Sequence, residues 1–158
     1  MKVAVFPGSF DPITNGHVEI AKKGLEFFDK VIVLVADNDA KKSRFTHEER
    51  FEMTRDAFKG INGIEVDCTR GLTVDYAKKV GTKYLLRGIR NSTDMSYEKN
   101  YEEQTHKLDP SIEFKYIQAP KEYESISSTY INQLFHNKKS LKGLVPESVI
   151  KRYEKKEF

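Results

Sequence analysis

Apolar strand-like runs that alternate with amphipathic stretches predict an α/β protein, a single doubly wound domain on a five-stranded parallel sheet. Three observations carry this. A helical pattern falls between each pair of strand-like runs, and such alternation implies right-handed crossovers. The 158 residues suffice for one domain with a real core. No internal repeat, low-complexity stretch or linker divides the chain, so residues 1–158 are read as one domain.

The first strand is expected at Lys2–Phe6, around the buried run Val3-Ala4-Val5-Phe6. A turn rich in Gly and Pro follows, then a helix over Gly16–Phe28 with apolar residues at Val18, Ala21, Leu25 and Phe28. Further strands are expected at Val31–Ala36, Ile64–Cys68, Tyr84–Leu86 and Phe114–Gln118. Helices are expected at Thr46–Phe58, Thr73–Val80, about Asp94–Leu108, Ser128–His136 and Pro146–Lys156. Thr46-His47-Glu48-Glu49 has the Ser/Thr-x-x-Glu form of a capping box. Pro146 suits the first turn of the last helix. The class is Rossmann-like, and ligands on such sheets bind beyond the carboxyl ends of the strands, where strand order reverses.

Lys and Arg number 27 against 24 Asp and Glu, a formal charge of +3. This mild excess suits an anionic small molecule and does not argue for nucleic acid. No zinc-finger, RNP or basic-zipper pattern occurs. Cys68 is the one cysteine, which excludes an internal disulfide, and it is expected to be a small core residue. No signal-peptide pattern and no apolar run of membrane-spanning length is found, so a cytoplasmic location without membrane association is expected.

The densest chemical signal is Gly8-Ser9-Phe10-Asp11-Pro12-Ile13-Thr14-Asn15-Gly16-His17, between the first strand and the first helix. Unpaired N–H groups and a partial positive charge make a helix N-terminus a seat for phosphate. His17 adds a donor there. A lone Gly-x-His would be an incidental connection; glycine, hydroxyl, proline and histidine within one turn favour a nucleotide site. Neither Gly-x-Gly-x-x-Gly after the first strand nor Gly-x-x-x-x-Gly-Lys-Ser/Thr is present.

The other strand exits also carry polar groups. Asp37 to Arg44 is a polar loop with cations at Lys41, Lys42 and Arg44, which taken alone is a solvated surface loop. After the third strand come Arg70-Gly71-Leu72-Thr73, where Thr73 is open to an N-cap role. Arg87-Gly88-Ile89-Arg90 puts two planar forks around a glycine that leaves the backbone open to a ligand. Tyr123-Glu124-Ser125-Ile126-Ser127-Ser128-Thr129 ends in hydroxyls that either cap a helix or face phosphates. No Ser-His-Asp set and no Cys/His cluster with metal-ligand spacing stands out. The implied chemistry is electrostatic: hold polyphosphate, neutralise developing charge and align a nucleophile.

Thr14-Asn15-Gly16-His17 resembles the T/H-x-G-H signature of the nucleotidylyltransferase superfamily. The string from Pro7 to His17 is similar to one branch, the bacterial phosphopantetheine adenylyltransferases. Lys41-Lys42, Phe45-Thr46-x-x-Glu49-Arg50, Arg87-Gly88-Ile89-Arg90, Asp94, Tyr97-Glu98 and Ile126-Ser127-Ser128-Thr129 extend that resemblance over nearly the whole chain. It implies transfer of AMP from ATP to 4′-phosphopantetheine, giving dephospho-coenzyme A and pyrophosphate without a covalent intermediate. It also implies His17, Lys41 and Arg90 as catalytic residues. Ser9, Phe10, His17, Gly88, Ile89, Arg90, Glu98 and Tyr123, Glu124, Ser125, Ile126, Ser127, Ser128, Thr129 would hold ATP. Ser9, Lys41, Thr73 and Arg87 would hold the acceptor. Mg²⁺ carried mainly by phosphate oxygens, a homohexamer and coenzyme A as a feedback ligand belong to the same implication.

Three departures are visible. Ser9 stands where many members have threonine, the Lys99–His106 helix is unusually polar, and Asn132 replaces an arginine common in the wider superfamily. The last counts against a nicotinate or nicotinamide mononucleotide acceptor. A small nucleotidylyltransferase with another phosphorylated acceptor and a non-catalytic nucleotide-binding module are the alternatives.

Overall fold

The computed structural model describes residues 1–37 and 43–155. Five strands are seen: β1 (Val3–Gly8), β2 (Lys30–Ala36), β3 (Ile64–Thr69), β4 (Tyr84–Ile89) and β5 (Glu113–Gln118). They alternate with α1 (Asn15–Gly24), α2 (His47–Ala57), α3 (Thr73–Val80) and α4 (Ser92–Leu108). A short 3₁₀ turn at Lys121–Tyr123 leads to α5 (Ser128–His136) and α6 (Glu147–Lys155). Each expected strand is present and extends to or past its expected C-terminal end; α1 is shorter than expected. Its last turn tightens, with Leu25, Glu26 and Phe27 N–H groups bonding three residues back. A Cβ on Gly24 would lie 2.8 Å from Leu86, so the helix ends in close contact with the sheet. Phe28 is nonetheless buried, as its spacing required.

All neighbours are parallel in the order β3-β2-β1-β4-β5. Each sheet face is covered, which explains the near-continuous apolar runs of the central strands. Ala4, Phe6, Val31, Val33, Val35 and Leu86 share one core with side chains of α1, α2, α5 and α6. Val5, Ile32, Leu34 and Leu85 point the other way, into a core with Tyr76 and Ala77 of α3. Cys68 is half-buried at the margin of the first core.

The strand order reverses between β1 and β4, and their ladder is short. It covers only Ala4 with Tyr84 and Val5 with Leu85. The β1–β2 ladder runs on to Gly8 and the β4–β5 ladder to Ile89. The carboxyl ends of β1 and β4 are therefore each anchored on their outer sides and unpaired with one another. That gap is the floor of a cleft. No described helix is long and apolar enough to cross a membrane.

Candidate active site

The cleft has a volume of about 350 Å³ and is lined by residues of β1, α1, β4, α4 and the first turn of α5. Such a crevice at a topological switch point is where doubly wound sheets bind ligands.

Its first wall is built by local chemistry. Thr14 is the N-cap of α1: its Oγ1 accepts the His17 N–H (3.4 Å), and the Thr14 N–H donates to His17 Nδ1 (3.0 Å). This closes a capping box with histidine where Glu or Gln usually stands. A backbone N–H can only donate, so Nδ1 is unprotonated and the ring proton sits on Nε2. Phe10 packs edge-on against the imidazole at 5.1 Å and Phe6 lies 6.5 Å from it. Phe10 reaches that position through a left-handed backbone (φ 46°), and its ring fills the space a Cβ on Gly8 would take. Burial in this apolar surround lowers the His17 pKa to about 4, and the Arg90 and Arg87 charges push the same way. At neutral pH His17 is thus an uncharged donor through Nε2–H on the cleft wall.

The β4 exit forms the second wall. Arg87 makes a two-pronged pair with Glu98 (Nε and Nη2 both 2.8 Å), and its Nη1 donates to the Pro7 carbonyl (2.6 Å). That bond spans the gap left by the short β1–β4 ladder. The guanidinium also lies over Tyr101 at 4.4 Å. Burial disfavours its charge, but the hydrogen bonds and charge of Glu98 outweigh this and raise its pKa. Arg90 is held by Asp94 through Nε (2.9 Å) and Nη2 (3.2 Å), while Asn91 caps α4 by accepting the Asp94 N–H. Gly88 serves packing rather than leaving the backbone open to a ligand: a Cβ there would meet Ile20 Cδ1 at 2.3 Å. It still lines the cleft.

The third wall is the start of α5. Ser127 is its N-cap and accepts the Tyr130 N–H (2.9 Å), and Ser128 Oγ donates to the Pro12 carbonyl (2.7 Å). The hydroxyl-rich segment thus caps a helix and faces the cleft at once.

Of the residues singled out in the sequence, Ser9, Phe10, His17, Arg87, Gly88, Arg90, Glu98, Ile126, Ser127, Ser128 and Thr129 meet in this cleft. Ile89, Tyr123, Glu124 and Ser125 are not among its lining residues. Tyr123 packs instead beside Gly16, whose Cβ would lie 3.3 Å from it. Thr73 does not line the cleft either, and the N-cap of α3 is Leu72, without a side-chain bond. The N-cap role left open for Thr73 is not the one it takes: it is already the first helical residue. Asn132 accepts a bond from the Tyr153 hydroxyl (3.2 Å). Lys41 lies outside the described residues.

Sequence patterns do not reveal two arginines as bridges between distant segments. Arg50, 1% exposed, bonds the carbonyls of Ser9 (2.9 Å), Ala36 (3.0 Å) and Phe45 (3.2 Å) and the Asp37 carboxylate (3.3 Å). It ties the exits of β1 and β2 together. Its burial alone had a signal: it shares the buried face of α2 with Met53 and Thr54, at i, i+3 and i+4. Arg44 lines the cleft, and its acceptors lie 33 and 85 residues away, where no local pattern reveals them.

Residues 5–134 match the cytidylyltransferase-like family model. The chain therefore belongs to the cytidylyltransferase-like nucleotidyltransferases. It is 43% identical over 155 residues to the phosphopantetheine adenylyltransferase of Syntrophus aciditrophicus (strain SB), covering 98% of this chain and 94% of that one. Against the enzymes of the same name from Streptococcus pyogenes serotypes M5 (strain Manfredo) and M49 (strain NZ131) it is 41% identical, over 98% of this chain and 95% of each. Within that class, it is a member of the phosphopantetheine adenylyltransferase family.

Proposed function

We propose that this protein transfers the adenylyl group of ATP to 4′-phosphopantetheine, forming dephospho-coenzyme A and pyrophosphate in coenzyme A biosynthesis. The observation that carries the site assignment is the neutral His17, held by its own helix cap with Nε2–H presented at the N-terminus of α1. A preorganised donor at that point stabilises negative charge as it develops on the α-phosphate, and it needs no reorganisation in the transition state. Arg90 supplies a second donor group from the β4 exit, its orientation held by Asp94. The acceptor's own phosphate oxygen attacks in line and pyrophosphate leaves, so no enzyme nucleophile and no covalent intermediate is required.

Arg87 and Lys41 are assigned to the acceptor phosphate, with Ser9 between the two substrates. Glu98 keeps the Arg87 fork aimed across the β1–β4 gap, and two N–H donors of the guanidinium remain beyond its bonds to Glu98 and Pro7. Mg²⁺ would be carried by phosphate oxygens. In support, the cleft carboxylates are committed elsewhere: Glu98 to Arg87, Asp94 to Arg90, and Asp11 to the amides of Arg44 and Phe45. When bound, the ion would neutralise charge on the triphosphate. A cytoplasmic, homohexameric enzyme subject to feedback by coenzyme A completes the proposal by family resemblance.

The reverse reaction tests it. Purified protein given dephospho-coenzyme A, pyrophosphate and Mg²⁺ should form ATP. Formation of ATP from nicotinamide adenine dinucleotide and pyrophosphate, with none from dephospho-coenzyme A, would leave the nucleotidyl-transfer class standing and overturn the acceptor.

A further inference from the structure

Arg44 has no role in the site as assigned so far. Its backbone N–H donates to Asp11 Oδ2 (2.8 Å), and the next N–H, of Phe45, donates to Oδ1 (2.9 Å). Asp11 is 3% exposed, so this end of the β2–α2 connection is clamped on a buried carboxylate. The Arg44 side chain then reaches to the α5 wall. Nη1 donates to the Asp11 carbonyl (2.9 Å) and Nη2 to Thr129 Oγ1 (3.0 Å). Among the described residues its other three N–H donors have no hydrogen-bond acceptor.

Its charge balance differs from that of the other cleft arginines. Arg87 and Arg90 each sit on a carboxylate at 2.8–3.2 Å through two nitrogens. The carboxylate oxygen paired with Arg44 lies 4.0 Å away and already accepts an amide. Arg44 is thus the least compensated cation among the described cleft residues.

The start of α5 is tied to the turn that leads into α1 by the bond from Ser128 Oγ to the Pro12 carbonyl. A triphosphate with its α-phosphate at His17 has its β- and γ-phosphates free to run along that seam toward α5. Arg44 is bonded to the first turn of α5, so its fork and the N–H groups of that turn address the same anion.

Resting on the nucleotidyl-transfer reading, we propose that Arg44 is a further ATP-binding residue, a fork for the terminal phosphates that depart as pyrophosphate. It holds the leaving group and plays no part in recognising the nucleoside or the acceptor.

The test is calorimetry on the full chain with inorganic pyrophosphate, AMP and phosphopantetheine as separate probes, using Arg44→Met, Arg44→Gln and Arg44→Lys. Loss of charge-assisted hydrogen bonds should weaken pyrophosphate binding by about 10- to 100-fold in Arg44→Met. AMP binding should stay within about twofold, since AMP carries only the α-phosphate. Arg44→Lys should fall between, because a point charge replaces a fork. In the reverse reaction KM for pyrophosphate should rise and KM for dephospho-coenzyme A should not. Should Arg44→Met unfold, Arg44→Gln and Arg44→Lys carry the same prediction. Equal weakening of AMP and pyrophosphate would make Arg44 a structural strap and overturn the proposal. Loss of phosphopantetheine binding alone would overturn it in favour of the acceptor. Wild-type affinity for pyrophosphate in all three variants sinks Arg44 alone; a wild-type protein that binds neither ATP nor pyrophosphate sinks the nucleotide reading with it.

Discussion

Helices α1 and α2 both start on a capping box built from threonine, and they close it with different side chains. In α2, Thr46 Oγ1 accepts the Glu49 N–H (3.1 Å) and Glu49 Oε1 accepts the Thr46 N–H (2.9 Å). In α1, Thr14 and His17 make the same pair of bonds, with Nδ1 in place of a carboxylate oxygen. As a cap the two are equivalent. As surfaces they are opposites. Glutamate leaves a negative charge at the helix start, which suits the macrodipole but repels a phosphate. Imidazole spends one nitrogen on the cap and keeps a donor on the other. Under the proposed function, that one change of residue type turns a structural device into an anion site, while the bonds that fix the side chain remain those of an ordinary helix start.

The comparison breaks most severely if the box is closed in the other way. His17→Glu should retain the cap and the fold, with a melting temperature within about 4 °C of wild type. Its kcat should nevertheless drop by at least about 10³, since a donor is lost and a like charge faces the phosphates. A folded His17→Glu with near-normal kcat would show that the cleft side of this residue is idle.

His17→Ala keeps the bond from the residue-17 N–H to Thr14 Oγ1 but removes the imidazole half of the capping box and the donor. The expected loss is about 10² to 10³ in rate, appearing in kcat more than in KM because the contact strengthens in the transition state. An unchanged kcat with a raised KM for ATP would confine His17 to ground-state binding.

Acid titration sharpens the contrast further. Unfolded histidine takes its proton near its ordinary 6.5, and folded His17 only at about 4. Between these values the unfolded chain holds more protons, so His17 contributes a loss of stability as pH falls from about 6.5 to about 4. The slope should shrink in His17→Ala, measured by denaturant unfolding across that window. Nitrogen NMR should show the Nε2–H form with no titration from pH 8 to about 5.5; a ring carrying protons on both nitrogens at about pH 7 would remove the neutral donor from the mechanism.

The smallest effect belongs to α2. Thr46→Ala should cost about 1 kcal/mol of stability, the ordinary value of a helix cap, and leave kcat within about twofold. Activity lost in proportion to stability would mean that the two helix starts are not separable in function.

The sequence determined whatever depends on near neighbours or on periodicity. The central strands followed from apolar runs, because burial on both faces leaves a strand little choice of residue, and the part-exposed edge strands β3 and β5 from short stretches set between helical patterns. The α2 capping box followed from Thr46 and Glu49, three residues apart. The gathering of Ser9, His17, Arg87, Arg90, Glu98 and Ser127–Thr129 followed from their places at strand exits, since a parallel sheet brings all its carboxyl ends to one edge. Tertiary structure decided what depends on partners distant in the chain. Nothing near Gly88 announces that Ile20 occupies its missing side chain, and nothing near Leu72 and Thr73 says that they stand away from the cleft. The bonds of Arg87 to Pro7, Arg50 to Ser9 and Arg44 to Thr129 cross 80, 41 and 85 residues. Their geometry exists only once the sheet has set the distance between strand ends, and an arginine's five donors take whichever acceptors that distance supplies.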